Sequence, residues 1–241
     1  MNPEQWQHMA VAFAAAAGDV SACRLCSVSV DVLDVAGAGI TLMDGNQVGP
    51  LCVTGRGASE LEEMQFTLGE GPCHDAFRSG QPVLVPRLDK DAPVQWLPFA
   101  ELAVRIGVGA VFAYPLVHDA AKLGVLTVYQ REPGPLSDDQ HEACLTLSVV
   151  LAETISTMSQ SASSGEWSNG IEDAVEVRAE VHQASGMVAA QLQIPAAEAL
   201  LRIRAHAFAN DTAILAVAGD IIARRLLLGD DRDHLTNEVE P

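Results

Sequence analysis

The segment 171–228 most constrains the fold of this chain, because its apolar residues recur at the spacing of three consecutive amphipathic helices. Ser185-Gly186 interrupts the first predicted helix, Pro195 begins the second where its missing N–H costs little, and Asn210-Asp211-Thr212 offers N-cap oxygens to the third. The predicted inner positions are Val177, Val181, Ala184, Val188, Leu192, then Leu200, Ile203, Ala207, and finally Ile214, Val217, Ala218, Ile221 and Ile222. Since three such faces can bury one another, the segment predicts a small helical module without a catalytic centre.

Three motifs in this segment carry a family resemblance. They are Gln183-Ala184-Ser185-Gly186-Met187, Glu198-Ala199-Leu200-Leu201-Arg202-Ile203-Arg204-Ala205 and Leu215-Ala216-Val217-Ala218. In order and spacing they resemble the ANTAR domain, a three-helix RNA-binding antitermination module of bacterial regulators. The resemblance implies that residues 171–229 bind paired RNA stem-loops and that a dimer presents two such RNA sites together. Binding would favour the antiterminator structure of the RNA over a transcription terminator. Ser185 stands where many ANTAR domains have lysine, so we expect Ser185→Lys to strengthen RNA binding.

The candidate RNA-binding residues lie on the side of this module that we expect to face outward. The formal net charge of −18 opposes contact with phosphate, but residues 171–229 hold five Arg and Lys against seven Asp and Glu and can still concentrate cations. The candidates are Ser185, Arg202, Arg204, His206, Arg224 and Arg225, with the last two on the third predicted helix. On charge alone these arginines are solvated side chains, and the RNA interpretation depends on the resemblance.

Residues 1–158 predict a separate domain of the α+β class. Helices are expected over 2–17, about 19–34, 60–66 and 137–159, and the segment 68–77 is expected to turn into another helix, with a hairpin over 37–53 and a strand over 83–85. Two apolar runs, 107–117 and 123–130, predict the antiparallel centre of a sheet. The Ser-rich segment 159–170 predicts a linker, and residues 230–241 form an acidic tail.

Motifs in this first domain carry a second resemblance. They are Gly37-Ala38-Gly39-Ile40-Thr41-Leu42-Met43, Leu68-Gly69-Glu70-Gly71-Pro72-Cys73, and Val111-Phe112-Ala113-Tyr114-Pro115-Leu116 with Leu123-Gly124-Val125-Leu126. They resemble the GAF fold, a mixed or antiparallel sheet with helices, over nearly all of residues 10–158. The whole chain is then similar to GAF–ANTAR transcription antitermination regulators of the actinobacterial type. The resemblance implies signal transduction, with a small molecule, redox state or partner as the signal, and it names no ligand or cofactor.

Two sets of residues are candidates for the sensory site. Trp96, Phe99, Phe112 and Tyr114 are candidate ligand-binding residues because ligand pockets are mainly apolar, although the same aromatic rings would equally fill a core. Cys73 is the candidate redox residue, since a thiol at a helix N-terminus can have a lowered pKa. A packed, inert cysteine is the alternative at this position.

No motif predicts an enzyme or a metal site. Cys23 and Cys26 have CxxC spacing, but nothing in the sequence completes a set of four zinc ligands, so we expect a thiol pair in a helix core. The side chains of Cys73-His74-Asp75 point apart on a helix, and Gly69-Glu70-Gly71-Pro72 lacks a phosphate-binding spacing. Five cysteines without a sign of secretion predict reduced thiols rather than a disulfide framework.

The sequence also predicts location and assembly. No apolar run reaches the roughly 18 to 20 residues of a membrane span, and the amino terminus lacks signal-peptide features, which predicts a cytoplasmic protein. A stripe consisting of Leu147, Leu151, Ile155 and Met158, continued by Val177 and Val181, predicts the seam of a homodimer. The alternative function is a protein-interaction or dimerisation module without RNA binding, which Ser185 and the acidic total charge favour.

Overall fold

The computed structural model describes residues 22–44, 47–55, 57–162, 169–210 and 212–229. The chain divides into two compact units, residues 1–176 and residues 177–241. The helix expected over 2–17 and the tail 230–241 lie outside the described residues. Within the described ranges, no helix combines the length and apolar character that crossing a membrane requires.

The first unit is built on an antiparallel sheet. Its strands are β1 (Gly37–Asp44), β2 (Gln47–Gly55), β3 (Val83–Val85), β4 (Ala110–His118) and β5 (Ala121–Gln130). They lie in the order β2-β1-β5-β4-β3, and every neighbouring pair is antiparallel. The hairpin predicted over 37–53 is therefore confirmed, as is the pairing of the two later apolar runs at the centre of the sheet.

Helices cover both faces of this sheet. They are α1 (Ala22–Leu33), α2 (Ala58–Leu68), α3 (Pro72–Ser79), α4 (Leu88–Asp91), α5 (Leu97–Arg105) and α6 (Asp138–Ala162), with a 3-10 turn at Val94–Trp96. The helix α6 begins after a reciprocal cap, in which the N–H of Gln140 donates to Ser137 Oγ and the N–H of Ser137 donates to Gln140 Oε1. α1 and α6 pack on one face of the sheet, α2 and α3 pack on the other, and α5 packs against α2.

Alternation along the strands separates two apolar cores. Phe112 and Tyr114 on β4 lie in the core under α1 and α6, whereas Val111 lies in the core on the opposite face. Leu147, Leu151 and Ile155 of the predicted dimer stripe are buried in the first of these cores. The stripe is therefore wrong as a dimer seam, because the chain's own sheet covers it. The side chains of Met158 and Val177 lie outside the described residues, Val181 is buried in the second unit, and the homodimer stays a prediction.

A disulfide joins α1 to β2. Cys26 and Cys52 form this bond with their Cα atoms 6.1 Å apart, and both residues are buried in the core under α1 and α6. The prediction of reduced thiols is wrong for this pair, because packing of α1 against β2 brings together two cysteines that are 26 residues apart in sequence. Cys26 is therefore not half of a CxxC thiol pair. Cys73 and Cys144 are free and buried.

The carboxyl-terminal helices are α7 (Asn169–Leu192), α8 (Ala196–Ala209) and α9 (Ile214–Ile222). In the second unit most predicted inner positions are buried, but Leu192, Leu200 and Ile222 are partly exposed, and Ser185 and Ala199 are buried although the predicted stripes do not include them. Ser185-Gly186 does not interrupt α7, which runs through both residues, and Ser185 Oγ donates within the helix to the Val181 carbonyl at 2.8 Å. α9 begins after Ala213, which supplies no side-chain cap.

Candidate functional site

A carboxyl group is buried on the face of the sheet that α2 and α3 cover. It belongs to Glu62 of α2, and Thr41 Oγ1 of β1 donates to its Oε2 at 2.5 Å. Gln65, one turn further along α2, donates from Nε2 to Glu62 Oε1 at 3.4 Å. Together with Cys73 and Thr127, these residues form what we call the Glu62 cluster. The cluster places hydroxyl, amide, thiol and carboxyl groups in one buried region.

The backbone of β1 makes room for this carboxyl. Strand alternation turns Gly39 and Thr41 of β1 toward α2. Gly39 lies opposite Thr127 of the neighbouring strand β5. A Cβ at Gly39 would lie 2.7 Å from Glu62 Cγ, so only glycine lets the glutamate side chain lie against the strand. The spacing of Glu62 and Gln65 on α2 then brings both side chains to the same helix face.

The Glu62 carboxyl is shifted toward its neutral form. Burial raises its pKa above the ordinary value, and the hydroxyl of Thr41, which donates to the carboxylate, offsets this only in part. Among the ion pairs of the described residues, none brings a cation to Glu62. The site therefore holds an ionisable group whose charge no cation of the described residues balances.

Cys73 lies at the start of α3, as predicted, but its surroundings raise the pKa of its thiol instead of lowering it. Burial raises the pKa of its thiol well above the usual value, and the neighbouring Glu62 carboxylate raises it further. The expected lowering of the pKa is wrong because desolvation outweighs the helix N-terminus. The Cys73 N–H donates to Gln65 Oε1 at 2.8 Å, and its Sγ lies 4.0 Å from Met43 Sδ. Its redox role stays a prediction.

The loop between α2 and α3 closes over one side of the cluster. Gly71 has φ of 118°, a conformation that favours glycine, and a Cβ there would lie 3.0 Å from Gln65 Oε1. Burial raises the pKa of Glu70, and a hydrogen bond from the Phe99 N–H partly opposes that shift. His74 bonds through a ring nitrogen to the Gln65 carbonyl at 2.9 Å. These contacts fasten the loop to α2 and to the first turn of α5.

The four predicted ligand-binding aromatic residues do not come together. Trp96 and Phe99 are buried in the core that includes α5, whereas Phe112 and Tyr114 are buried in the core under α6. Because the sheet lies between the two pairs, the prediction that all four line one cavity is wrong. Tyr114 instead packs beside α6, where its hydroxyl makes a 2.8 Å hydrogen bond to His141 Nδ1.

An open depression of about 350 Å³ lies elsewhere on the first unit. It is lined by Gly57, Glu60, Ile106, Gly107 and Arg131. Its lining shares no residue with the Glu62 cluster or with the predicted aromatic residues.

The sequence analysis did not identify Glu62 as a site residue. Glu62 lies in the acidic run Glu60-Leu61-Glu62-Glu63, and such a run is typical of a solvated helix face.

The six predicted RNA-binding residues differ in exposure. Ser185 is only 3% exposed, so its prediction as an outward residue is wrong. The expectation that Ser185→Lys strengthens RNA binding is without its basis, because it required an outward side chain at this position. Arg224 and Arg225 are exposed, but they follow the end of α9 at Ile222 instead of lying on it. Arg225 forms a 2.7 Å ion pair with Asp220.

The remaining three candidates lie on α8 and are partly exposed. Arg202 forms a 3.3 Å ion pair with Glu198. Burial lowers the pKa of Arg204, and its Nε is buried without a hydrogen-bond partner in the described part of the chain. His206 accepts a hydrogen bond at its backbone carbonyl from Asn210. All the arginines of the second unit whose side chains the structure describes lie on α8 or in the segment after α9.

Comparisons with known proteins concern the first unit. Residues 23–156 match the family model of the GAF domain. The GAF domain of a phosphoenolpyruvate-protein phosphotransferase from Coxiella burnetii is 13% identical with a TM-score of 0.53, covering 66% of this chain and 96% of that chain. The corresponding Acinetobacter domain is 15% identical with a TM-score of 0.51, covering 68% and 99%. These likenesses show a shared fold. None of the curated proteins matches the chain significantly.

Proposed function

This chain belongs to the GAF domain family, and from that premise we propose that it is a non-enzymatic, signal-responsive regulator of transcription antitermination. In this proposal the first unit senses a small molecule, redox state or partner. The second unit binds stem-loop RNA as part of a homodimer, in the cytoplasm where nascent RNA is made. A GAF domain is a small-molecule or signal-sensing module, which supports the first half directly.

The observation that carries the sensing half is the buried, unbalanced carboxyl of Glu62. Burying an ionisable group without a counter-charge is costly, and such groups concentrate at functional sites. The hydroxyls of Thr41 and Thr127, the amide of Gln65 and a neutral carboxyl together offer donors and acceptors without fixed charge. This chemistry favours a signal that is uncharged and polar, or the proton itself.

Support for the RNA half comes from the second unit's charge. Residues 177–229 hold five Arg and four Asp and Glu, so this part of the unit is slightly cationic, whereas residues 230–241 hold one Arg and five Asp and Glu. A local cationic surface is what phosphate contact requires, and the net charge of the remainder does not remove it. Arg204 and Arg224 form none of the ion pairs seen among the described residues.

A protein-interaction module without RNA binding is the second candidate. The pairing of Arg202 with Glu198 and of Arg225 with Asp220 favours it, because two of the five arginines are already engaged by carboxylates. Ser185 favours it as well, since a buried hydroxyl has no access to a partner RNA.

RNA binding separates the two candidates. Fluorescence anisotropy of the full chain with a labelled paired hairpin, a scrambled-loop control and a salt series should show loop-dependent, salt-sensitive binding. Arg204→Ala should weaken that binding, whereas Arg78→Ala, an exposed arginine of the first unit, should not. Equal affinity for hairpin and scrambled RNA would exclude the RNA reader and leave the protein-interaction module.

A further inference from the structure

The helix α8 exposes an apolar ridge that its own unit does not cover. Leu201 is 62% exposed and Phe208 is 49% exposed, and the exposed Ala205 lies between them. We call these three residues the α8 ridge. Their spacing of four and three places them on one helix face, opposite the buried Ile203. About half of the Phe208 side chain is therefore left uncovered by the described part of the second unit.

A desolvated cation borders this ridge. Arg204 lies four residues before Phe208 on α8, so the two side chains are neighbours on the helix surface. Its Nε is buried and has no hydrogen-bond partner among the described residues. Arg202 and Arg225, in contrast, are held by Glu198 and Asp220. The partial burial of the Arg204 guanidinium therefore carries a desolvation cost, and no acceptor among the described residues receives a hydrogen bond from its Nε–H.

The combination of a flat exposed ring and an adjacent guanidinium favours one kind of occupant. An apolar helix docked on the α8 ridge would cover Arg204 further and supply no acceptor for it, which adds to the cost of its burial. A nucleotide supplies both complements, because its base has a π-face for the ring and its phosphate has acceptor oxygens for the guanidinium. Unpaired loop bases are the part of a hairpin whose faces are open to stacking.

We propose that an unpaired base of an RNA loop stacks on Phe208 while a phosphate of the same loop binds Arg204. The inference rests on the RNA binding proposed above, and it names the contact by which the second unit distinguishes a loop from a duplex. Phe208 then selects unpaired nucleotides, and Arg204 adds salt-dependent affinity without reading the base.

The test uses the full chain and two labelled hairpins with the same stem, one with a six-adenine loop and one whose loop is abasic. Phe208→Ala should weaken binding to the adenine loop by about 5- to 150-fold, the usual range for one stacked base, and leave the abasic loop unaffected. Phe208→Trp should retain the preference for the adenine loop. Val149→Ala is the matched control, because Val149 is 62% exposed, as Leu201 is, but lies on α6 of the first unit, to which no RNA contact is assigned.

The outcomes distinguish this inference from the function on which it rests. If the wild-type protein prefers the adenine loop and Phe208→Ala leaves that preference unchanged, the stacking contact is wrong while RNA binding stands. If the wild-type protein binds neither hairpin, both proposals fail. If Phe208→Ala weakens self-association in sedimentation and leaves RNA affinity unchanged, the α8 ridge is a protein interface and the inference is overturned.

Discussion

The disulfide between Cys26 and Cys52 leads to a quantitative prediction for the first unit. The bond ties α1 to β2 and closes a loop of 26 residues that contains β1 and its hairpin connection. Reduction would allow the unfolded chain to separate these two points while leaving the native packing of both residues in place. We therefore expect the reduced protein to keep its fold and to lose stability.

The magnitude follows from the length of the closed loop. In the chain-entropy treatment, a loop of this size corresponds to about 12 cal/mol/K, which is about 3.5 kcal/mol at 25 °C. For a unit of this length, each kcal/mol shifts the midpoint of thermal unfolding by roughly 2 to 4 °C. Reduction should accordingly lower the midpoint of the first unit by about 7 to 14 °C.

Thermal unfolding followed by circular dichroism measures this effect. Wild-type protein would be refolded under oxidising conditions and under a dithiol reductant, and non-reducing peptide mapping would verify the Cys26–Cys52 bond in the oxidised sample. Cys26→Ala/Cys52→Ala removes the response to reductant. Cys144→Ala is the matched control, because it removes a buried free thiol and should leave that response intact.

Two results would refute the reasoning. One is an oxidised sample in which peptide mapping finds Cys52 as a free thiol, since the packing of α1 against β2 would then not bring the two sulfurs together. The other is equal unfolding midpoints for samples whose bond is verified as intact and as reduced. Loop closure would in that case make no contribution to the stability of this unit.

Three further predictions concern single residues. Because burial raises the pKa of Glu62, the unfolding free energy of the first unit should fall as pH rises from the ordinary carboxyl pKa through the higher folded-state pKa, by at most about 1.4 kcal/mol per pH unit. Urea unfolding across pH should show that Glu62→Gln removes this slope and exposed Glu63→Gln keeps it; the same slope in both variants would contradict the assignment. Ser185→Lys should reduce helicity by burying an ammonium group, whereas Gly186→Ala, which faces open space within α7, should raise stability by about 1 kcal/mol. Normal helicity in the lysine variant would show that Ser185 is accessible after all.

Local patterns made much of the fold predictable. The hairpin of β1 and β2 and the pairing of β4 with β5 depend on turn residues and on apolar runs within a few tens of residues. The same holds for the inner faces of α7, α8 and α9. These features are set by neighbours in sequence, so a single chain carries enough information to place them.

The predictions that proved wrong for the first unit concern contacts that depend on which face of the sheet each residue occupies. Residue type alone groups Phe112 and Tyr114 with Trp96. The register of β4 turns Phe112 and Tyr114 toward the core under α1 and α6, whereas Trp96 lies in the core on the opposite face. The partners Cys26 and Cys52 are likewise joined by the packing of a helix on a strand. Spacing within one segment carries no information about contacts of this kind.

Ser185 is a different kind of failure, because its burial was readable in the sequence. Val181 lies four residues before it and Val188 lies three after it, so helical spacing already placed the serine on the inner face. The resemblance to ANTAR domains instead implied an outward role, because many of them have lysine at this position. Where a resemblance and the periodicity of the chain itself disagree about orientation, the periodicity was the better guide at this position.

The two faces of the sheet also have different physical characters, and this bears on how a signal at Glu62 would spread within the first unit. Thr41 and Thr127 of the Glu62 cluster alternate on β1 and β5 with Ile40 and Leu126, which lie in the core under α1 and α6. A shift of either threonine therefore displaces apolar neighbours in the same strand. Because a close-packed core transmits strain, we expect a rearrangement at Glu62 to reach α6, which packs on β4 and β5 on that face.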